Sequence, residues 1–256
     1  MMTRQWRNGL RVVLGMLLAT AVMSPAPASA QVVQVGRGDA RHTINFNLGY
    51  FALRGEDSRD EDDVLLANVF DLASQDNPFD PLDIGEFNGF TFGGEYTFAI
   101  TNYLEVGAGI GFYQKDVDTL YRDFEDSDGT QIEQELKLRI VPMTATIRFL
   151  PLGREAAVEP YIGAGIGIFN WRYSEVGEFV DFSDDSIFLN RYTADGNAVG
   201  PVILAGLRAP IGDAWTIGGE FRWQSATGDG LLDEGFLAEK IDLGGWTTNF
   251  TFGVRF

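Results

Sequence analysis

The chain has 256 residues, 37 acidic against 19 basic side chains for a formal net charge of −18, 31 glycines, 20 phenylalanines and no cysteine. Phosphate binding needs clustered Lys and Arg, so this balance argues against a nucleic-acid partner, and the missing cysteines remove disulfides, thiolate metal sites and cysteine nucleophiles. A hydrophobic share of 45 % permits a core, while beyond residue 30 no apolar run reaches the ~18 to 20 residues of a spanning helix.

The first element is a secretory leader over residues 1–30. Arg4, Arg7 and Arg11 give a positive start, Val12 to Met23 an apolar stretch, and Ala28-Ser29-Ala30 a small-residue cleavage site. The expected mature domain runs over residues 31–256, beginning at Gln31.

From there the hydrophobic period is two almost everywhere. Ile44, Phe46, Leu48 and Tyr50 alternate with Asn45, Asn47 and Gly49, and Phe90, Phe92, Tyr96 and Phe98 with Thr91, Gly93, Glu95 and Thr97. The third run sets Leu104, Val106, Ala108, Ile110 and Phe112 against Glu105, Gly107, Gly109 and Gly111. The fourth, from about Glu135 to Phe149, changes phase near Pro142, where Leu136, Leu138 and Ile140 give way to Val141, Met143, Ala145, Ile147 and Phe149. A bulge at the proline is expected there. The fifth run, Ile162-Gly-Ala-Gly-Ile-Gly-Ile168, nearly repeats Val106-Gly-Ala-Gly-Ile-Gly-Phe112. The sixth carries Val199, Ile203, Ala205 and Leu207, the seventh Trp215, Ile217, Phe221 and Trp223, and the last Trp246, Phe250, Phe252, Val254 and Phe256. Eight such runs of roughly 9 to 14 residues suit tilted strands that cross a bilayer.

Connections alternate in length. Short links fall at residues 100–102, 151–159 and 210–213, and long ones at about 54–88, 115–130, 174–197 and 225–242. The expected fold is all-β, an eight-stranded antiparallel up-and-down transmembrane β-barrel with short turns on one side and long loops on the other. The polar face carries Glu95, Glu105, Arg148, Arg208, Glu220, Arg222 and Arg255, which can neutralise one another in a closed lumen, while the opposite face is almost all aliphatic and aromatic. Eight strands enclose too little space for so many Phe and Trp, so this face belongs outside. Aromatics sit near both strand ends, Phe98, Phe149, Trp215 and Phe256 at one and Phe90, Phe112, Trp223 and Trp246 at the other, as two interfacial girdles would require.

With its leader, its Gly-Ala-Gly-Ile-Gly strands, Val141-Pro142-Met143-Thr144-Ala145-Thr146 and the terminal Thr251-Phe252-Gly253-Val254-Arg255-Phe256, the chain resembles the small outer-membrane β-barrel proteins of Gram-negative bacteria, the OmpA-type transmembrane domain, OmpW and the opacity-type porins. The resemblance implies an outer-membrane location, a periplasmic face at the short turns, lipid and lipopolysaccharide as surroundings, and a monomer. It also implies that Phe252, Val254 and Phe256 form the signal read by the outer-membrane assembly machinery.

Candidate functions follow from the two ends and the lumen. The charges Glu95, Glu105, Arg148, Arg208, Glu220 and Arg222 read either as a salt-bridged plug or as a pair that rearranges to gate a narrow path. Glycines at 107, 109, 111, 163, 165 and 167 clear space that either receives Phe51, Tyr113, Phe169 and Trp171 or stays water-filled. Acids crowd the long loops, among them Asp60 to Asp63 and Asp116 to Asp128. They suit solvated loops or loosely held Ca2+ or Mg2+ bridging to lipopolysaccharide. Asp126, Asp128 and Glu135 half-match a calcium loop, but Phe124 occupies its first ligand position. No firm metal site and no other cofactor are expected. Residues 63–73 have helix-compatible spacing after acids that suit a helix start, packing the loop on itself, folding over the barrel mouth or touching lipid headgroups. The single histidine, His42, lies at the short-turn end, so no enzyme of the His-dependent kind is expected. The leading expectation is a membrane protein with a structural or surface-interaction role through acidic extracellular loops. A narrow OmpW-like channel for small solutes or ions is the alternative, and a soluble lipocalin-like binder the third class.

Overall fold

The computed structural model describes residues 40–256, and the leader expected over residues 1–30 falls outside them. Eight antiparallel strands form a closed ring: β1 (His42–Leu53), β2 (Gly89–Ala99), β3 (Leu104–Glu125), β4 (Gln131–Phe149), β5 (Glu159–Asp181), β6 (Ser186–Ile211), β7 (Trp215–Gln224) and β8 (Gly245–Arg255). Each strand pairs with its neighbour in sequence, and β1 closes on β8 from Thr43↔Arg255 to Leu53↔Gly245. Closure leaves no free sheet edge, which hydrocarbon would not tolerate.

In the half near the short turns, the faces are those that lipid demands. Phe46, Leu48, Phe92, Ile110, Ile147, Ile166, Leu207 and Phe250 stand exposed on the outside, while Thr43, Asn45, Thr97, Thr144, Thr146 and Thr251 are buried within. Outer rings pair up at both ends of this belt. Phe221 and Trp246 stack at 4.8 Å between centroids and Trp215 and Phe252 at 5.1 Å. A soluble lipocalin-like barrel has the reverse arrangement, so the third class falls.

β3 to β6 continue well beyond the lipid-facing belt, at 22, 19, 23 and 26 residues against 10 to 12 for the other four strands. The expected loops at 115–130 and 174–197 are therefore two long hairpins, with tight turns at residues 126–130 and 182–185. Gly129 at φ +83° and Asp185 at φ +57° supply the left-handed residues those turns need.

In these extensions the faces invert. Val117, Leu136, Leu138, Trp171, Tyr173 and Ala194 point inward and are buried, whereas Asp116, Asp118, Arg172 and Asp195 point to solvent. The phase change near Pro142 is this inversion and not a bulge. The β4–β5 register runs unbroken from Phe149↔Ile162 through Pro142↔Phe169 to Gln134↔Gly177. Leu136, Leu138 and Ile140 lie on the same inner face as Thr144, Thr146 and Arg148, and what changes along that face is the chemistry inside the barrel. Pro142 lacks an N–H and is accommodated by Gly111 across the sheet, where a Cβ would stand 3.0 Å from the proline ring.

The apolar inner wall of the long strands is covered by the two loops that rise from the short ones. Residues 54–88 fold helix α1 (Val64–Asp71) into the mouth, where Val64, Leu65 and Val69 join Tyr113, Leu136, Leu138, Trp171 and Tyr173 in one cluster. Leu231, Phe236, Ile241 and Leu243 of the last loop complete it. Of the three arrangements open for residues 63–73, the structure has the helix over the barrel mouth.

Candidate functional site

Two ionic layers fill the lower lumen. In the first, the Arg148 guanidinium pairs with Glu95 and lies 2.8 Å from Glu220 Oε2, and Arg222 Nη2 stands 2.8 Å from Glu220 Oε1 and 3.7 Å from Glu95. Thr146 donates its hydroxyl to Glu95 at 3.2 Å and Tyr161 to Glu220 at 3.2 Å. In the second layer, nearer the short turns, Arg208 grips Glu105 with both terminal nitrogens and reaches Glu159 through Nε at 2.7 Å. Arg255 reaches the same Glu159 at 3.0 Å, and Arg154 lies 3.0 Å from Glu105. The Tyr161 ring sits between the layers, 4.9 Å from the Arg148 guanidinium carbon and 5.8 Å from that of Arg208.

Register explains part of who meets whom. Glu159 opens β5 opposite its partner Arg208, whereas Glu105, second in β3, stands opposite Arg148 but reaches across the lumen to Arg208. The structure brings together all six lumenal charges singled out in the sequence. It adds Glu159, Arg154 and Tyr161, and sets Arg255, already placed on the polar face, in the second layer. Glu159 and Arg154 lie in what reads as a periplasmic link, so no alternation flags them; Arg255 alternates with Val254 and Phe256 and carries the signal that Glu220 does.

The glycines make room for these side chains. A Cβ at residue 107 would lie 2.7 Å from Glu95 Oε1 and 2.9 Å from Thr146 Oγ1, and one at residue 167 would lie 2.6 Å from the Phe169 ring. Phe51, Tyr113, Phe169 and Trp171 are all buried in the space above. Between the ionic layers and that apolar plug remains a chamber of about 40 Å³, bordered by Asn47, Asn249, Thr247, Gln224 and Arg222, room for a few waters.

At the long-loop end, Asp63 anchors the plug. Its carboxylate caps α1 by accepting from the Leu65 and Leu66 amides at 2.9 and 3.1 Å, and accepts from the Asp242 amide at 2.5 Å. Arg59 lies 3.4 Å from Asp63 and donates to the Asp242 carbonyl at 2.7 Å. Desolvation pushes the Asp63 carboxyl above its ordinary value and the Arg59 guanidinium below its own, so burial outweighs their attraction.

The other sequence candidates stand apart from one another. Asp126 and Asp128 close the β3–β4 turn, Asp128 accepting from the Thr130 amide and hydroxyl at 3.0 and 2.7 Å, whereas Glu135 lies down β4 and pairs with Lys137 at 2.8 Å. Among the described residues no group of three acids or histidines converges as metal ligands would. Phe252, Val254 and Phe256 share the outer face of β8 and its end, Phe256 stacking on His42 at 5.6 Å. His42 Nδ1 lies 2.6 Å from the Tyr96 hydroxyl, amid aromatic rings.

An antiparallel ring of eight strands, apolar to the outside and charged within, defines a membrane-spanning β-barrel. The chain belongs to the family described as outer membrane protein beta-barrel domain, whose model matches residues 14–256, and its location is the outer membrane. Solved structures similar to it include the outer membrane protein OprG from Pseudomonas aeruginosa, 13 % identical over 87 % of this chain and 98 % of that one with a TM-score of 0.49. A major outer membrane protein from Thermus thermophilus is 10 % identical over 86 % and 100 % with a TM-score of 0.44, and Neisserial surface protein A is 12 % identical over 84 % and 96 % with a TM-score of 0.43. No curated protein sequence matches the chain.

Proposed function

We propose that the protein is a sealed barrel with a structural and surface-interaction role, working through the extracellular platform built by the β3–β4 and β5–β6 extensions and α1. The observation that carries this reading is closure at two levels. Arginine–carboxylate pairs occupy the lower lumen, and the apolar cluster around α1 fills the upper. An ion crossing either level would break buried pairs or enter hydrocarbon, both costly. Its surroundings in this reading are outer-membrane lipid and lipopolysaccharide, with the assembly machinery as the transient partner of biogenesis, and the chain acts as a monomer without enzymatic activity. The outward acids of the hairpins, such as Asp116 and Asp118, suit loosely held Ca2+ or Mg2+ at the lipopolysaccharide level.

Single-channel recording in a planar bilayer tests this, with heat-modifiable gel mobility as the control for folding. The expected result is a folded, silent protein. Discrete, reproducible steps would overturn the sealed barrel and favour the second reading, a narrow channel for small solutes or ions. The polar chamber beside Arg222 supports that second reading, since it leaves space for solvent inside the lumen.

A further inference from the structure

Seven carboxylates are buried among the described residues, and six of them have an arginine. Glu95, Glu105, Glu159 and Glu220 are paired in the lumen, Asp63 with Arg59, and Asp242 with Arg54 at 3.1 Å. The seventh, Glu175 of β5, is 8 % exposed and has no ion-pair partner among the described residues. Its Oε1 accepts from Asn68 Nδ2 at 2.6 Å and from the Tyr173 hydroxyl at 2.9 Å. With no cation beside it, burial pushes this carboxyl above its ordinary value.

Glu175 borders a cavity of about 140 Å³ between α1, the last loop and the β5–β6 wall, open to the extracellular side past Phe182 and Leu237. Phe179, Phe188, Tyr192 and Phe236 wall it, with Tyr173 behind Phe236. Phe236 lies 5.6 Å from Tyr173 and 6.0 Å from Tyr192, and Phe179 lies 4.9 Å from Tyr192, edge to face, and 5.9 Å from Phe188. We propose that this cavity binds a compact organic ammonium group, with Glu175 as its counter-ion and Phe179, Tyr192 and Phe236 as its walls.

The chemistry selects this ligand over others. A carboxylate supplies the charge that an ammonium lacks, and aromatic faces attract cations that shed water easily. A hard metal ion prefers several carboxylates at once, and among the described residues no three acids or histidines converge. The volume resembles that of a cavity known to accept benzene, about the bulk of a trimethylammonium head. The group could arrive on a free small molecule or at the end of a lysine side chain. The site lies on the same face as the surface-interaction role but stands independently of it, because ligand binding is read whether or not the lumen conducts.

The test uses protein purified from outer membranes and held in maltoside micelles, which contain no ammonium headgroup. Saturation-transfer NMR and calorimetry would follow choline, its uncharged isostere 3,3-dimethyl-1-butanol, and an Ala-Lys-Ala peptide with free or trimethylated lysine. Choline or the peptide should bind, at least tenfold more weakly to Glu175→Gln and to Tyr192→Leu, while the uncharged isostere should not distinguish wild type from Glu175→Gln. Choline alone would identify a free small molecule, and the peptide alone a protein partner. Absence of binding by both overturns the proposal, as does equal affinity in folded Glu175→Gln. Should that variant fail to fold, undiminished binding to Tyr192→Leu overturns it equally.

Discussion

Arg148 shows what a single side chain does in a space with little solvent. It serves Glu95 and Glu220 at once, with its guanidinium over the Tyr161 ring. Arg148→Ala leaves Glu95 and Glu220 to share Arg222 alone, and losing one partner of a buried pair costs up to about 3 to 5 kcal/mol. The urea midpoint followed by gel mobility should fall accordingly. Arg148→Lys should recover only part of it, because one ammonium cannot replace the planar fork. An unchanged midpoint in Arg148→Ala would deny the network its structural role. Glu95, Arg148 and Glu220 were legible from alternation alone, whereas Glu159 and Arg154 were not, because turn residues carry no period.

For α1 the controlling groups are Asp63 below and Glu175 beside it. Both carboxyls lie above their ordinary values of 3.8 and 4.5, chiefly through desolvation. A raised folded-state value means stability that is fully present below the unfolded value and lost as pH rises through the folded one. Docking of α1 is therefore firmer in mild acid than at neutral pH. Amide exchange within α1, corrected for its intrinsic rate, should show protection falling as pH rises from about 4.5. In Glu175→Gln the fall should be smaller, and an identical fall in both proteins would remove Glu175 from the account. The helix itself was legible from Asp63 and the spacing of Val64, Leu65, Val69 and Leu72. Its docking was not, because the wall it packs against reads as loop. From Tyr113 in β3 and Phe169 in β5 the inward side chains turn apolar, with Val117, Trp171 and Tyr173 following, and a rule that places lipid outside everywhere cannot follow them. The same rule turns Leu136, Leu138 and Ile140 into an apparent bulge.

At the scale of the molecule, ring closure through β1 and β8 and the four shorter strands were legible nearly to their ends, since each crosses only lipid and keeps one pattern throughout. Phe256 ends that ring on its outer face, exposed and stacked on His42. Phe256→Ser should reduce the folded barrel recovered from outer membranes several-fold while leaving refolding into micelles intact. Equal recovery would mean that the terminal aromatic is not read during assembly.

The inversion of the interior gives the two halves of one barrel different thermal characters. Opening the upper half wets an apolar cluster and raises the heat capacity, so its cohesion weakens on cooling as that of a water-soluble core does. The lower half, whose outer face stays in hydrocarbon and whose interior is ionic, has no such term of comparable size. Cold therefore loosens the extracellular platform first, over a transmembrane ring that keeps its form.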